Sequence, residues 1–202
     1  MKKLDLLLAE KLLKISAIKL QPDSPFTWAS GWNSPIYTDN RLTLSYPEVR
    51  NFIKVELSRL ILENFGEAEV VAGVATGAMV YVRSAPKDHG LENLIEGNIK
   101  PGQKVVVVED LVSTGKSSLK AVEALRMAGA DVVGMVAIFP YEFPQAVEAF
   151  EKAGVELVTL SGYSAMIKAA VETKYIKASD EAQLQLWRED PENWTSAVVN
   201  ID

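Results

Sequence analysis

Glu109 and Asp110 stand side by side after the four valines at 105–108, just ahead of a run of small hydroxyl residues, Ser113, Thr114, Ser117 and Ser118, around Gly115. Adjacent carboxylates offer acceptors and repel anions. The hydroxyl run does the reverse if it opens a helix, because unpaired N–H groups and the positive end of the helix dipole gather there, and Gly115 lets a ligand approach the main chain. A ligand that suits both halves presents a diol to the acids and a phosphate to the loop, as a phosphosugar does. Gly115-Lys116-Ser117 also looks like the tail of a nucleotide-triphosphate loop, but that pattern needs glycine where this chain has Asp110. The plain alternative is an ordinary buried strand and turn, since acids are common at strand ends.

The elements that must position these groups can be read around them. A continuous β-branched run over 105–108 is a strand buried on both faces, and Leu119, Val122 and Leu125 recur at helical spacing up to Gly129, a helix stop. Residues 69–75 form another buried strand, and Ala75, Thr76 and Gly77 at its carboxyl end expose backbone amides suited to a second anion, although a simple turn has the same composition. Residues 80–82 are strand-like. The segment from Arg83 to residue 98 has cations, a proline, glycine and no periodicity, and is expected to be a long loop. It gathers Arg83, Lys87 and His89, the chain's one histidine; a lone loop histidine is usually a solvated bystander.

In chain order, residues 2–16 place Leu4, Leu7, Leu8, Leu12 and Ile15 on one helical face. Residues 17–20 read as a short strand, and the turn-rich 21–34 carries Trp28 and Trp32, either lid residues or partly buried anchors. Asp39 and Arg41 are expected to fix the shape of the following loop by local pairing. Pro47 opens a helix with Val49, Phe52, Ile53, Leu57, Leu60 and Ile61 as its core stripe, ended by Gly66. Strands at 132–139 and 155–160 alternate with helices at 146–150, 163–171 and 181–187, and 140–144 is a turn. This alternation predicts an α/β chain with a central, mostly parallel sheet covered by helices on both faces and the ligand at strand carboxyl ends. One passage conflicts with that plan. Parallel strands need a crossover of roughly 10 to 12 residues or more, yet four residues separate Ala75 from Val80, and a helical segment is expected to be missing between Ala78 and Met79.

With 202 residues, the chain suits one domain over 1–202. A net charge of −6 and a pI near 5.0 speak against a nucleic-acid binder. The absence of cysteine removes disulfides and thiolate chemistry. No apolar run is long enough to span a membrane and no signal-peptide pattern is present, so a cytoplasmic protein is expected.

The stretch VVVVEDLVSTGKSS resembles the phosphoribosyl-pyrophosphate signature of the type I phosphoribosyltransferases. Residues 26–41, FTWASGWNSPIYTDNR, and 81–90, YVRSAPKDHG, resemble the substrate loop and the mobile catalytic loop of the orotate phosphoribosyltransferase family, in the expected order. The resemblance implies that fold, with a small N-terminal hood formed by residues 1–45, and transfer of a phosphoribosyl group to orotate in pyrimidine biosynthesis. It assigns phosphoribosyl pyrophosphate to Arg83, Lys87, His89, Glu109, Asp110, Leu111, Val112, Ser113, Thr114, Gly115, Lys116 and Ser117. Lys87, His89 and Asp110 are the expected catalytic groups, Ala75, Thr76 and Gly77 the pyrophosphate loop, and Ile36, Tyr37 and Ser113 the orotate contacts. It further implies Mg²⁺ held mainly by the substrate rather than by direct side-chain ligands, and a homodimer in which loop 84–98 reaches the partner's site. Three positions depart from enteric relatives: Ala29 and Ser84 each replace a lysine, and Tyr141 sits near an orotate-contacting arginine. Another base phosphoribosyltransferase, or a non-enzymatic regulator sensing the same sugar phosphate, is the alternative.

Overall fold

The computed structural model describes residues 3–74, 80–82 and 95–195. The chain divides into two compact units, Met1–Phe52 with Ser161–Asp202, and Ile53–Leu160.

The second unit is built on a six-stranded sheet. Its strands are β5 (Val70–Gly73), β6 (Val80–Val82), β7 (Ile95–Glu96), β8 (Lys104–Val112), β9 (Asp131–Pro140) and β10 (Leu157–Thr159), in the order β10-β9-β8-β5-β6-β7. All neighbours are parallel except β6 and β7. The parallel part agrees with the strand and helix alternation. Helix α3 (Lys116–Met127) links β8 to β9, and α4 (Pro144–Ala153) links β9 to β10. Gly129 closes α3 at φ +87°, where the Gly129 and Ala130 N–H groups bond to the Arg126 and Leu125 carbonyls. That is the glycine-dependent helix end expected from the sequence. The core fills with Val105, Val106, Val107, Leu125, Met135, Val136 and Phe139, all fully buried. Phe65 lies so close to Gly134 that a Cβ there would stand 2.3 Å from its ring, so Gly134→Ala must displace an aromatic that is itself buried.

One sequence expectation changes here. Ile95 and Glu96, read as part of a loop, pair antiparallel with Val82 and Tyr81, since a two-residue strand leaves no periodicity to detect. Strand β6 pairs parallel with β5 across Ala72 and Gly73 only, at the carboxyl end of β5. The junction between Ala78 and Met79 lies outside the described residues.

The first unit holds α1 (Leu4–Lys14), α5 (Tyr163–Glu172) and α6 (Glu181–Glu189), with β1 (Ile18–Leu20) antiparallel to β4 (Ile36–Thr38) and β2 (Phe26–Thr27) antiparallel to β3 (Asn33–Ser34). The buried face of α1 is Leu8, Ala9, Leu12 and Leu13; Leu4 and Leu7 are half-buried. Helix α2 (Pro47–Asn64) follows a 3₁₀ turn at Asn40–Ser45 and buries Val49, Ile53 and Leu60 of its expected stripe. Among the described residues no helix is long and apolar enough to cross a membrane.

Candidate active site

Strand β8 runs further than its composition suggested. The ladder with β9 continues through Leu111 opposite Phe139 and Val112 opposite Pro140, and the Val112 carbonyl accepts the Tyr141 N–H. Glu109 and Asp110 are thus strand residues, and the loop proper is Ser113, Thr114 and Gly115, with α3 starting at Lys116. Leu111 and Val112, expected to bind the sugar phosphate, are engaged as ladder residues. Ser113 and Thr114 are half-buried, while Lys116 and Ser117 are exposed.

Gly115 has a reason other than the one inferred. It caps α3 at φ +79° with no side-chain cap, and a Cβ there would meet the Phe150 ring at 3.0 Å. Glycine therefore answers a left-handed backbone and a close aromatic, and its neighbours' helix-start N–H groups receive no side-chain acceptor. Such N–H groups, at the positive end of a twelve-residue helix, suit a phosphate.

The two acids are not equivalent. Glu109 is 5% exposed, and its Oε2 accepts the Ser118 hydroxyl at 2.8 Å while its Oε1 accepts the Asp110 N–H at 3.0 Å. Burial pushes its pKa up to about 7; the Ser118 hydrogen bond opposes that rise and Asp110 adds to it. Asp110 is half-buried. Ser118, 1% exposed, is the site residue that the sequence reading passed over. The signal was its phase: Ser118, Val122 and Leu125 share one helical face and all are buried, so a hydroxyl on that stripe had to find a partner.

In the first unit, residues 26–41 form a braced loop. Trp28 lies nearly parallel to Trp32 and edge-on to Trp187, with ring centroids 6.5 and 5.6 Å away. Trp187 and Tyr163 are fully buried; the Trp187 indole N–H donates to the Asn33 carbonyl and the Tyr163 hydroxyl to the Leu184 carbonyl. Trp28 is therefore a partly buried anchor, which decides the alternative left open by composition. Asp39 and Arg41 pair as expected, Nε and Nη2 donating at 2.8 and 2.9 Å, and this guanidinium holds the Asp39 carboxyl below its ordinary pKa. Ile36, assigned to orotate through its main chain, uses those groups inside the loop. Its carbonyl accepts from Trp28 Nε1 and Ser34 Oγ, and its N–H donates to Ser34 Oγ. Tyr37 is 42% exposed, with its ring 5.6 Å from Phe26. In the second unit, Tyr141 is buried between the rings of Phe139 and Phe143.

Ala75, Thr76, Gly77, Arg83, Lys87 and His89 lie outside the described residues. Among the described residues no group of three or more His, Cys, Asp or Glu could hold a metal ion.

Residues 78–152 match the phosphoribosyl transferase domain family. The chain is 61% identical over 208 aligned positions to an orotate phosphoribosyltransferase of Bacteroides thetaiotaomicron, and 60% identical to one of Phocaeicola vulgatus, each alignment covering 96% of this chain and 98% of the relative. A solved orotate phosphoribosyltransferase from Aeropyrum pernix superposes with a TM-score of 0.66 at 26% identity, covering 84% of this chain and 99% of that one. Because 96% of 202 residues is about 194, some 14 of the 208 aligned positions in those two relatives face no residue here.

Proposed function

The chain belongs to the orotate phosphoribosyltransferase family, and we propose that its second unit binds the phosphoribosyl donor while its first binds the base. The reaction moves the 5-phosphoribosyl group from phosphoribosyl pyrophosphate to N1 of orotate, giving orotidine 5′-monophosphate and pyrophosphate in pyrimidine biosynthesis. The observation that carries the division is a strand-end acid pair running into an uncapped helix start, from Glu109 to Ser117, on a chain 60% identical to its relatives.

As the bond from C1 to pyrophosphate breaks, negative charge grows on the departing oxygens and positive charge on the sugar. Groups aimed at that developing charge lower the barrier. Loop amides around Ser113, Thr114, Gly115, Lys116 and Ser117 would hold the 5-phosphate, and Asp110 would accept from the ribose hydroxyls and face the cationic ring. Arg83, Lys87 and His89 would meet the leaving group, with Ala75, Thr76 and Gly77 beside the pyrophosphate. Tyr37 and Ser113 would contact orotate. Among the described residues no cluster of carboxylates surrounds Asp110, and Mg²⁺ carried by the substrate's phosphates would neutralise charge on the pyrophosphate. A homodimer, with loop 84–98 serving the partner's site, completes the proposal.

Steady-state assays with phosphoribosyl pyrophosphate and either orotate or purine bases, with and without Mg²⁺, test it. Turnover with orotate alone, dependent on Mg²⁺, is expected; turnover with a purine would overturn the base assignment.

A further inference from the structure

Glu109 and Asp110 are neighbours near the carboxyl end of β8. Glu109 turns toward α3, where both its oxygens are engaged, one by the Asp110 N–H and one by the Ser118 hydroxyl. Ser118 is the third residue of α3, the position from which a side chain often reaches back to cap its own helix start. Here the hydroxyl instead spans nine residues of sequence to the strand. The phosphate loop is thereby closed at its base: Glu109 enters it, Ser118 leaves it, and a 2.8 Å bond between two nearly inaccessible groups joins them.

We propose that Ser118 is a positioning residue for phosphoribosyl binding, fastening the first turn of α3 to the Glu109 carboxylate so that the loop amides at 113–117 keep their aim. This rests on the reading that those amides hold the 5-phosphate. A bond between a hydroxyl and a buried carboxylate is among the stronger kinds, and its loss leaves an acceptor without a donor. The consequence should appear chiefly in binding of the sugar phosphate, since of the proposed base contacts Tyr37 belongs to the first unit and Ser113 alone to the loop.

The test uses the full chain with Ser118→Ala and Ser118→Cys, the second filling nearly the same space with a much weaker donor. Calorimetric titration with ribose 5-phosphate, KM for both substrates and melting temperature are measured for each. Both variants should bind ribose 5-phosphate about tenfold or more weakly and raise the KM for phosphoribosyl pyrophosphate to match, with the orotate KM within about twofold. If the alanine variant does not fold, the cysteine variant must still show the loss. Wild-type affinity in a folded variant would overturn the proposal, as would equal rises in both KM values, which indicate general loosening. A wild-type protein that turns over orotate yet binds no ribose 5-phosphate would overturn the phosphate-loop reading and this inference with it, leaving the family activity standing.

Discussion

Two parallel connections leave neighbouring strands of the same sheet, and they differ threefold in length. From β8 to β9 the chain spends residues 113–130, 18 in all, including α3; from β5 to β6 it spends the six at 74–79. The longer one meets the length that a parallel crossover ordinarily needs. It can cover the sheet, bury Val122 and Leu125, and hold its helix start against β8 through Ser118 and Glu109. The shorter one precedes a pairing confined to Ala72 and Gly73. A phosphate loop needs a helix behind it to aim its amides, and only one of the two connections has the residues for one.

The largest expected effect strikes the long connection. Replacing both acids, Asp110→Asn with Glu109→Gln, should lower transfer by about a thousandfold or more, because the charge facing the developing ribosyl cation is gone. The melting temperature at neutral pH should not fall, since a buried carboxylate is replaced by a neutral amide of equal size. Unchanged turnover would show that these acids are only structural, and the comparison would lose its functional half.

Beyond β6, Lys87→Ala and His89→Ala should each lower kcat by about a hundredfold with little change in orotate KM, since they are proposed to act on charge that develops in the transition state. Effects confined to the orotate KM would make that segment a substrate clamp instead.

The contrast also marks what the sequence could tell. The valine run, Gly129 and the Asp39 and Arg41 pair were legible because each has a local physical cause that neighbours do not override. The extent of β8 was not, because polar Glu109 and Asp110 resemble a loop until a partner strand supplies their ladder. Ser118 was hidden by a helix phase taken from Leu119, which is half-buried, rather than from the buried stripe one residue earlier. Ile36 was assigned to orotate on resemblance, and its main-chain partners Trp28 and Ser34 become visible only when the loop is folded.

A third perturbation lengthens the short connection. The relatives carry some 14 positions that this chain lacks, and the family match begins at Ala78, inside the link. Grafting the Bacteroides thetaiotaomicron segment between Ala78 and Met79 should lower the KM for phosphoribosyl pyrophosphate about tenfold. It should also raise the melting temperature by about 5 °C, as expected if a helix there buries about 2 kcal/mol of apolar surface. Half-buried Val70 and Val71, on an interior strand, are the side chains with surface left to cover. A graft that melts lower would mean that the missing positions belong elsewhere and that six residues suffice.

The smallest effect concerns how the long connection is held, and it is a matter of pH. Burial raises the Glu109 pKa from 4.5 in the unfolded chain to about 7 in the folded one. Between those values the native protein binds the proton that the unfolded chain has released, so stability falls as pH rises through that window and stays lower above it. The full shift corresponds to about 3 kcal/mol, and relaxation around the carboxylate should leave about 1 to 2 kcal/mol, or about 3 to 6 °C in a chain of this size. Glu109→Gln removes the titration while keeping an oxygen that can accept from Ser118. Measured without ligand, the variant should match wild type near pH 4.5 and exceed it by that margin at pH 8. Melting curves that stay parallel across the whole range would mean that Glu109 carries no such penalty, and that the Ser118 hydroxyl and the Asp110 N–H stabilise its charged form as well as water does.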